Sequence, residues 1–371
     1  MVAQGRLFVT DRVGDQERLT ALDASSGALI WQRPNHVEFE PHSVGRRHGN
    51  GPKATPLVSD GNVYSVGIAG WLQCRDARDG RERWHVNLPE AFGAQRPLSG
   101  ERAYVNGTEN VIVPIGAGRG APVPLFGYTG SPTVANSLLI TSVGGERGGT
   151  IMAFDRQSGR VAWKSLSENV AYSSPVVARI AGVTQVVVMT GPRVVGLDVQ
   201  SGRLLWSHPF QIQYDESIST PVTSDEWVLV TGDGHPLTAL RIEHRGEQFT
   251  CAVAWENYDL SSYLSSMVVH AAHVYGMNDD GEFHCARLSD GKTVWSGGEH
   301  GYYCTPVLAG EQILGLNDEG ALLVLTASPA AFRQRARMQL SDAETWTTPA
   351  VVGNHIWVRS AEAVRCFEFS P

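Results

Sequence analysis

Ala153-Phe154-Asp155-Arg156-Gln157-Ser158-Gly159-Arg160-Val161-Ala162-Trp163 decides the fold, because its skeleton returns along the chain. The skeleton is a small residue, an apolar residue, Asp, three residues, Gly, three residues and Trp. It recurs as Ala21-Leu22-Asp23 to Gly27 and Trp31, as Cys74-Arg75-Asp76 to Gly80 and Trp84, and as Gly196-Leu197-Asp198 to Gly202 and Trp206. A weaker copy, Cys285-Ala286-Arg287 to Gly291 and Trp295, has Arg in place of Asp. Trp255 marks another copy, whose turn is lengthened through Glu243 to Gln248. Self-similarity at a fixed period is the mark of a repeat architecture. The Asp-to-Gly segment reads as a hairpin turn, since Asp accepts turn N–H groups and Gly supplies a left-handed backbone conformation.

Upstream of most copies stands a second signature, Ser or Thr followed by Pro and an alternating apolar run. It occurs at Thr55-Pro56, Ser131-Pro132, Ser174-Pro175, Thr220-Pro221, Thr305-Pro306 and Thr348-Pro349, and Ser266-Met267 holds the same place in one unit. The period-two runs that follow, such as Trp227-Val228-Leu229-Val230, are strand chemistry. Each unit therefore holds about four short antiparallel strands. One such sheet cannot bury both faces alone, and radial stacking of sheets solves the problem. Unit starts near Val2, Thr55, Ser131, Ser174, Thr220, Ser266, Thr305 and Thr348 predict an all-β, eight-bladed β-propeller of four-stranded blades in a single domain over residues 1–371. The alternative is seven blades plus a decoration. The last two units lack the Trp, and the last ends just after its third strand.

Bulk properties agree with this architecture. Forty Gly and nineteen Pro in 371 residues suit many short strands and turns. A formal net charge of −8 argues against a general nucleic-acid binder, which needs a basic stripe to neutralise phosphates. No stretch approaches the roughly 20 apolar residues of a membrane-spanning helix. No export signal is visible, because strand-like sequence follows Met1 directly. A long insertion from Asn87 to Tyr128 is expected to carry an extra hairpin, Ala103–Asn106 and Val111–Ile115. Loops of that length are either binding surfaces or solvated decorations.

The Ala-x-Asp-x-x-x-Gly-x-x-x-Trp spacing resembles the tryptophan-docking repeat of quinoprotein propellers and of BamB-type outer-membrane assembly lipoproteins. The resemblance spans nearly the whole chain and is strongest to bacterial PQQ-binding-like β-propeller repeat proteins. Gly51-Pro52-Lys53-Ala54-Thr55-Pro56, Tyr214-Asp215 through Thr220-Pro221, and Ala327-Ser328-Pro329-Ala330-Ala331-Phe332 carry that likeness. It implies that Trp31, Trp84, Trp163, Trp206, Trp255 and Trp295 dock between neighbouring blades. It also implies a periplasmic or secreted location, the cytoplasm being the alternative. In such propellers an N-terminal strand often closes the last blade. Aligning Val2–Phe8 over Val58–Tyr64 places Met1 inside a first strand, so a closing strand and an export signal are expected in a preceding segment.

Candidate chemistry is sparse. Quinoprotein dehydrogenases of this class stack pyrroloquinoline quinone (PQQ) on a disulfide between adjacent cysteines, and Cys74, Cys251, Cys285, Cys304 and Cys366 include no adjacent pair. Cys74, Cys285 and Cys366 occupy the small slot of the repeat and are expected to be buried apolar residues. His36, Glu38, Glu40 and His42 alternate onto one face, as a metal array would, or form a solvated edge. His48 and Lys53 suggest an anion pocket. The loops between blades carry Tyr128, Tyr172, Tyr214, Tyr263, His300, Tyr302, Tyr303 and Trp346, which suit a carbohydrate or polar ligand or pack blade tops. Asn278-Asp279-Asp280-Gly281 and Asn317-Asp318-Glu319-Gly320 read as acidic tight turns rather than calcium loops. The expected function is a non-catalytic scaffold for a protein, peptide or glycan, with no cofactor. The alternative is a PQQ- and Ca²⁺-dependent alcohol or sugar dehydrogenase using Asp215, Glu216 or Glu344 as base.

Overall fold

A computed structural model describes residues 1–39, 48–94, 126–145 and 148–369, with the Tyr214 side chain left undescribed. It consists of eight antiparallel sheets in chain order, seven of four strands and the last of three. This is an eight-bladed β-propeller. The described part of the insertion opens with a five-residue helix, Leu88–Phe92, capped by the Asn87 side chain. The hairpin expected at 103–115 lies outside the described residues. Two compact units divide the chain. One comprises Met1–Val177 with Thr184–Asp215, the other Ala178–Val183 with Glu216–Pro371.

The repeat residues explain the seams within each unit. In the first unit the Trp31 indole N–H donates to the Ala77 carbonyl at 3.1 Å, Trp84 to Arg156 at 3.1 Å, and Trp163 to Val199 at 3.1 Å. In the second unit Trp255 donates to Leu288 at 2.8 Å and Trp295 to Ser328 at 2.9 Å. In four of these seams the indole face lies on the turn glycine of the following sheet. A Cβ on Gly80, Gly159, Gly202 or Gly291 would stand 2.7, 2.7, 2.5 or 2.3 Å from the ring. Each of these glycines also has a positive φ, so the position requires Gly twice over. The turn aspartates act as expected: Asp23 and Asp198 accept from the N–H groups two and three positions further on, and Asp155 from that of Ser158.

Trp206 departs from the pattern. Its indole N–H turns inward to the buried Gln185 side chain of its own sheet, at 2.6 Å. Gly196, where other units have Ala or Cys, makes room, since a Cβ there would lie 2.1 Å from the indole nitrogen. The Trp206 indole N–H thus bonds within its own sheet, unlike the indoles of the five seams. The hairpin of the following repeat, His235–Arg245 with Gln248–Asn257, is the lengthened one and offers no Asp-to-Gly turn.

The Ser/Thr-Pro signature proves to be a second seam. The Thr55 N–H donates to Ser131 Oγ at 2.9 Å, and the Ser131 N–H to Ser174 Oγ at 3.0 Å. In the second unit the chain runs from Thr220 N–H to Ser266 Oγ at 3.0 Å, and from Ser266 N–H to Thr305 Oγ1 at 3.3 Å. Innermost strands of neighbouring sheets do not pair with each other, so their outward N–H groups need partners. A hydroxyl at the same place in each unit supplies them.

All five cysteines are free. Cys74 and Cys285 are buried in the small slot as expected, whereas Cys366 is exposed. The reason is the strand count: Cys366 lies on the outermost strand of the three-stranded sheet, with no fourth strand over it among the described residues.

Candidate functional site

The second unit gathers the most chemistry. Two of its turns, Asn278–Gly281 and Asn317–Gly320, are built alike. Asn278 Oδ1 accepts from the N–H groups of Asp280 and Glu282, and Asn317 Oδ1 from Ala321 N–H. The next residue of each turn reaches across to an interblade loop. Asp279 Oδ1 accepts from Tyr263 N–H at 2.7 Å, and Asp318 Oδ1 from the N–H groups of Tyr302 and Tyr303 at 2.8 and 3.1 Å. The acidic turns are therefore clamps that fix the tyrosine-bearing loops. Sequence reasoning identified the turns and missed the clamp. The readable signal was the same Asn-Asp pair at the same place in consecutive units.

On this frame the Tyr263 hydroxyl donates to Glu216 Oε2 at 2.5 Å. Burial raises the Glu216 pKa, the Tyr263 hydrogen bond lowers it, and the charge of Asp233 raises it again. Burial likewise raises Asp279, with Asp233 and Asp280 adding to the rise. Tyr263 is pushed up by burial, by Glu216 and Asp233, and by Tyr302. Glu216, Asp233, Asp279, Tyr263 and Tyr302 thus share one acidic, phenolic neighbourhood, and the Tyr302 side of it is open to solvent, 47% exposed. Its electrostatics favour a cation or a hydrogen-bond donor. Beside it, Tyr303 is buried and its ring meets Trp346 at 5.6 Å, while the Trp346 indole N–H donates to the exposed Glu344 at 3.3 Å.

Other expected site residues are placed elsewhere. His300 is 3% exposed, wedged between the rings of Phe283 and Phe332 at 5.6 and 6.1 Å, so it is a core residue rather than a surface one. Tyr128 is also buried, its hydroxyl donating to the Val143 carbonyl at 3.1 Å. Tyr172 packs edge-on against Phe126 at 5.4 Å. Lys53 Nζ donates to the carbonyls of His48 and Gly49, both at 3.1 Å, so the ammonium holds its own loop. The His48 ring rests on Phe126 at 5.9 Å. Asp215 is buried in the first unit, accepts from Asn169 Nδ2 at 2.9 Å, and has its pKa raised by burial. A Cβ on Gly191 would strike that carboxyl. His36 and Glu38 do share an exposed face, with Nε2 and Oε1 3.8 Å apart, while Val37 and Phe39 point inward. Glu40 and His42 lie outside the described residues. Among the described residues no group of three or more His, Cys, Asp or Glu is arranged to hold a metal ion.

A family model described as outer membrane protein assembly factor BamB matches residues 16–297. The chain belongs to that family. Among solved structures, this BamB-family chain is similar to BamB from Moraxella catarrhalis, with 16% identity, 97% of this chain and 96% of that one covered, and a TM-score of 0.63. It is similar also to the quinohemoprotein alcohol dehydrogenase of Comamonas testosteroni, with 14% identity, 96% and 69% coverage, and a TM-score of 0.59. These likenesses are of fold. A curated relative, quinohemoprotein alcohol dehydrogenase ADH IIB of Pseudomonas putida, is 22% identical over an alignment of 186 positions that covers 44% of this chain and 25% of that enzyme. The match therefore spans about a quarter of the dehydrogenase.

Proposed function

We propose that this BamB-family chain is a non-catalytic scaffold that binds a polypeptide through the acidic, tyrosine-bearing loops of its second unit. The observation that carries the reading is the Glu216–Tyr263 pair near exposed Tyr302, with Asp233 and Asp279 adding negative charge. A face of this kind attracts basic side chains and satisfies donors on an extended chain, while the tyrosine supplies flat contact area at low entropic cost. The family description, an assembly factor of the outer membrane, supports a protein partner and a periplasmic location.

The dehydrogenase reading draws support from the partial match to ADH IIB. Its cofactor suits this face poorly. PQQ carries three carboxylates, which Glu216, Asp233 and Asp279 repel, and the five cysteines, none adjacent in sequence, are all free. The experiment is a binding titration of fluorescently labelled, urea-diluted outer-membrane β-barrel polypeptide to the purified chain. Glu216→Gln and Tyr302→Ala are each expected to weaken binding at least tenfold, with affinity falling as salt rises. Unchanged binding in both variants would overturn the proposed face. A parallel thermal-shift titration with PQQ and Ca²⁺ decides the alternative, since ligand at a hundred times its Kd stabilises a fold by about 2.7 kcal/mol.

A further inference from the structure

Neighbouring seams of the first unit are filled differently. Between the second and third sheets a single buried apolar cluster runs through Tyr64, Leu72, Leu139, Met152 and Phe154. Between the first and second sheets the described residues form two smaller clusters. One holds Phe8, Leu19, Ala21, Trp31, Val63 and Ala77, and the other Val37, Phe39 and Ile68. Polar side chains occupy the rest of this seam. Thr10, Glu17 and Asn35 of the first sheet and Ser65 and Gln73 of the second line a cavity of about 10 Å³, enough for one water-sized occupant.

Glu17 is the group that the seam does not balance. It is 6% exposed, and its Oε1 accepts from the Ile68 N–H at 2.9 Å. Gly67 lines the cavity beside it, and a Cβ there would collide with Oε2. The nearby guanidinium groups are committed elsewhere. Arg12 donates to the carbonyls of Gly14, Asn50 and Val37, at 2.9, 3.1 and 3.1 Å. Arg18, also on the lining, pairs with Asp11 at 2.8 Å, and Arg75 reaches Glu82 at 3.0 Å. Among the described residues neither Glu17 Oε2 nor Thr10 Oγ1 has a hydrogen-bond partner. Ser65 Oγ accepts from Gln73 Nε2 at 3.0 Å and keeps a second lone pair. A buried carboxylate without a cationic partner is costly, and either a proton or a cation relieves it. Burial raises the Glu17 pKa, against the pull of the Ile68 hydrogen bond and the Arg12 charge.

We propose that this cavity binds one dehydrated alkali cation, held by Glu17 Oε2 and the hydroxyl oxygens of Thr10 and Ser65. Oxygen ligands suit a hard cation. One carboxylate balances one positive charge, whereas a calcium ion takes six to eight oxygens and would leave a net charge buried here. The ion takes the place of the proton that burial otherwise favours. It also holds Glu17 against the Ile68 N–H, and with it the turn 67–70. The Ile68 carbonyl in turn accepts from the Tyr128 N–H at 2.9 Å, so the ion's hold extends to the segment that follows the insertion. The site lies wholly in the first unit and goes beyond the reading given for the Glu216–Tyr263 loops.

The test compares melting temperatures of the full chain at pH 7.5 in sodium, potassium and tetramethylammonium chloride of equal ionic strength. Tetramethylammonium is too large for a water-sized cavity, so it reports the general effect of salt. At about 100 mM, sodium or potassium is expected to raise the melting temperature by about 3 °C over tetramethylammonium. The stronger of the two identifies the ion. Glu17→Gln, which keeps an oxygen for the Ile68 N–H, should abolish the difference, and Thr10→Val should at least halve it. Circular dichroism should find both variants folded. Crystals soaked in thallium(I) acetate should show an anomalous peak beside Glu17 Oε2. Equal melting temperatures in the three salts would mean that a proton alone neutralises Glu17, and would overturn the proposal. An alkali effect that survives Glu17→Gln, or a thallium signal only elsewhere, would overturn it as well.

Discussion

Cys285 and Cys366 occupy the same slot of the same repeat in the sixth and eighth sheets, and their surroundings are opposite. Cys285 is 0% exposed, facing Tyr275 on one side and Trp295 on the other. Among the described residues, Cys366 faces Trp357 on one side only, and it is exposed. Burial at this position is thus decided by the neighbouring strand rather than by the residue in the slot. Sequence similarity between repeats predicts what a position is built for, and the count of strands decides whether it is fulfilled.

Removing the cover in the sixth sheet should make it behave like the eighth. Trp295→Ala deletes a large half-buried ring and the bond from its N–H to the Ser328 carbonyl. A loss of about 3 kcal/mol in a urea titration is expected, at the lower end for Trp-to-Ala changes. Native-state alkylation of Cys285 should appear in this variant alone.

A smaller effect separates the docked tryptophans from Trp206. Trp206→Phe keeps the ring but leaves the buried Gln185 oxygen without its donor, at a cost of about 2 kcal/mol. Adding Gln185→Leu should recover part of that loss, because both polar partners are then gone. An additive double variant would mean the inward turn of the indole is incidental.

The smallest effect lies in the pH dependence. Burial, the main cause, and Arg337 lower the His300 pKa from its ordinary value, and Glu319 opposes them. The unfolded chain therefore binds the proton more readily than the folded one between about 6.5 and the lower folded value. The stability contributed by neutral His300 is complete above about pH 6.5 and declines as pH falls below it. His300→Phe, placed between Phe283 and Phe332, is expected to flatten that slope in melting temperature between pH 7 and 5. An unchanged slope would assign it to another group, His284 being the obvious one, since burial also lowers its pKa.

Most of the architecture was legible because it is periodic. Trp31, Trp84, Trp163, Trp255 and Trp295 announced their seams through spacing, and the Ser/Thr-Pro pairs marked the inner strands. What the spacing could not carry was direction. Trp206 looks like its fellows until Gly196 and the lengthened hairpin after it are read together. The exposure of Cys366 follows from the three strands of its sheet among the described residues, a count that no property of its own repeat encodes. At the candidate site, Glu216, Tyr263 and Tyr302 were recognisable as polar or aromatic loop residues. Their union depends on Asp279 and Asp318 each holding the loop that leads into its own sheet, a contact to a residue 15 or 16 positions earlier without a local signature. His300 was misplaced for the same reason, because its burial comes from Phe283 and Phe332, residues on other segments.

Thiol labelling of the native protein tests the central comparison most directly. Burial pushes the Cys285 thiol up to about 11 and removes it from solvent, whereas Cys366 is open to reagent. Mass mapping after brief treatment with iodoacetamide at pH 8 should find Cys366 modified while Cys285 is untouched, with rates at least a hundredfold apart. Equal rates for the two cysteines would contradict the account, since the slot would then be sealed in both sheets or in neither.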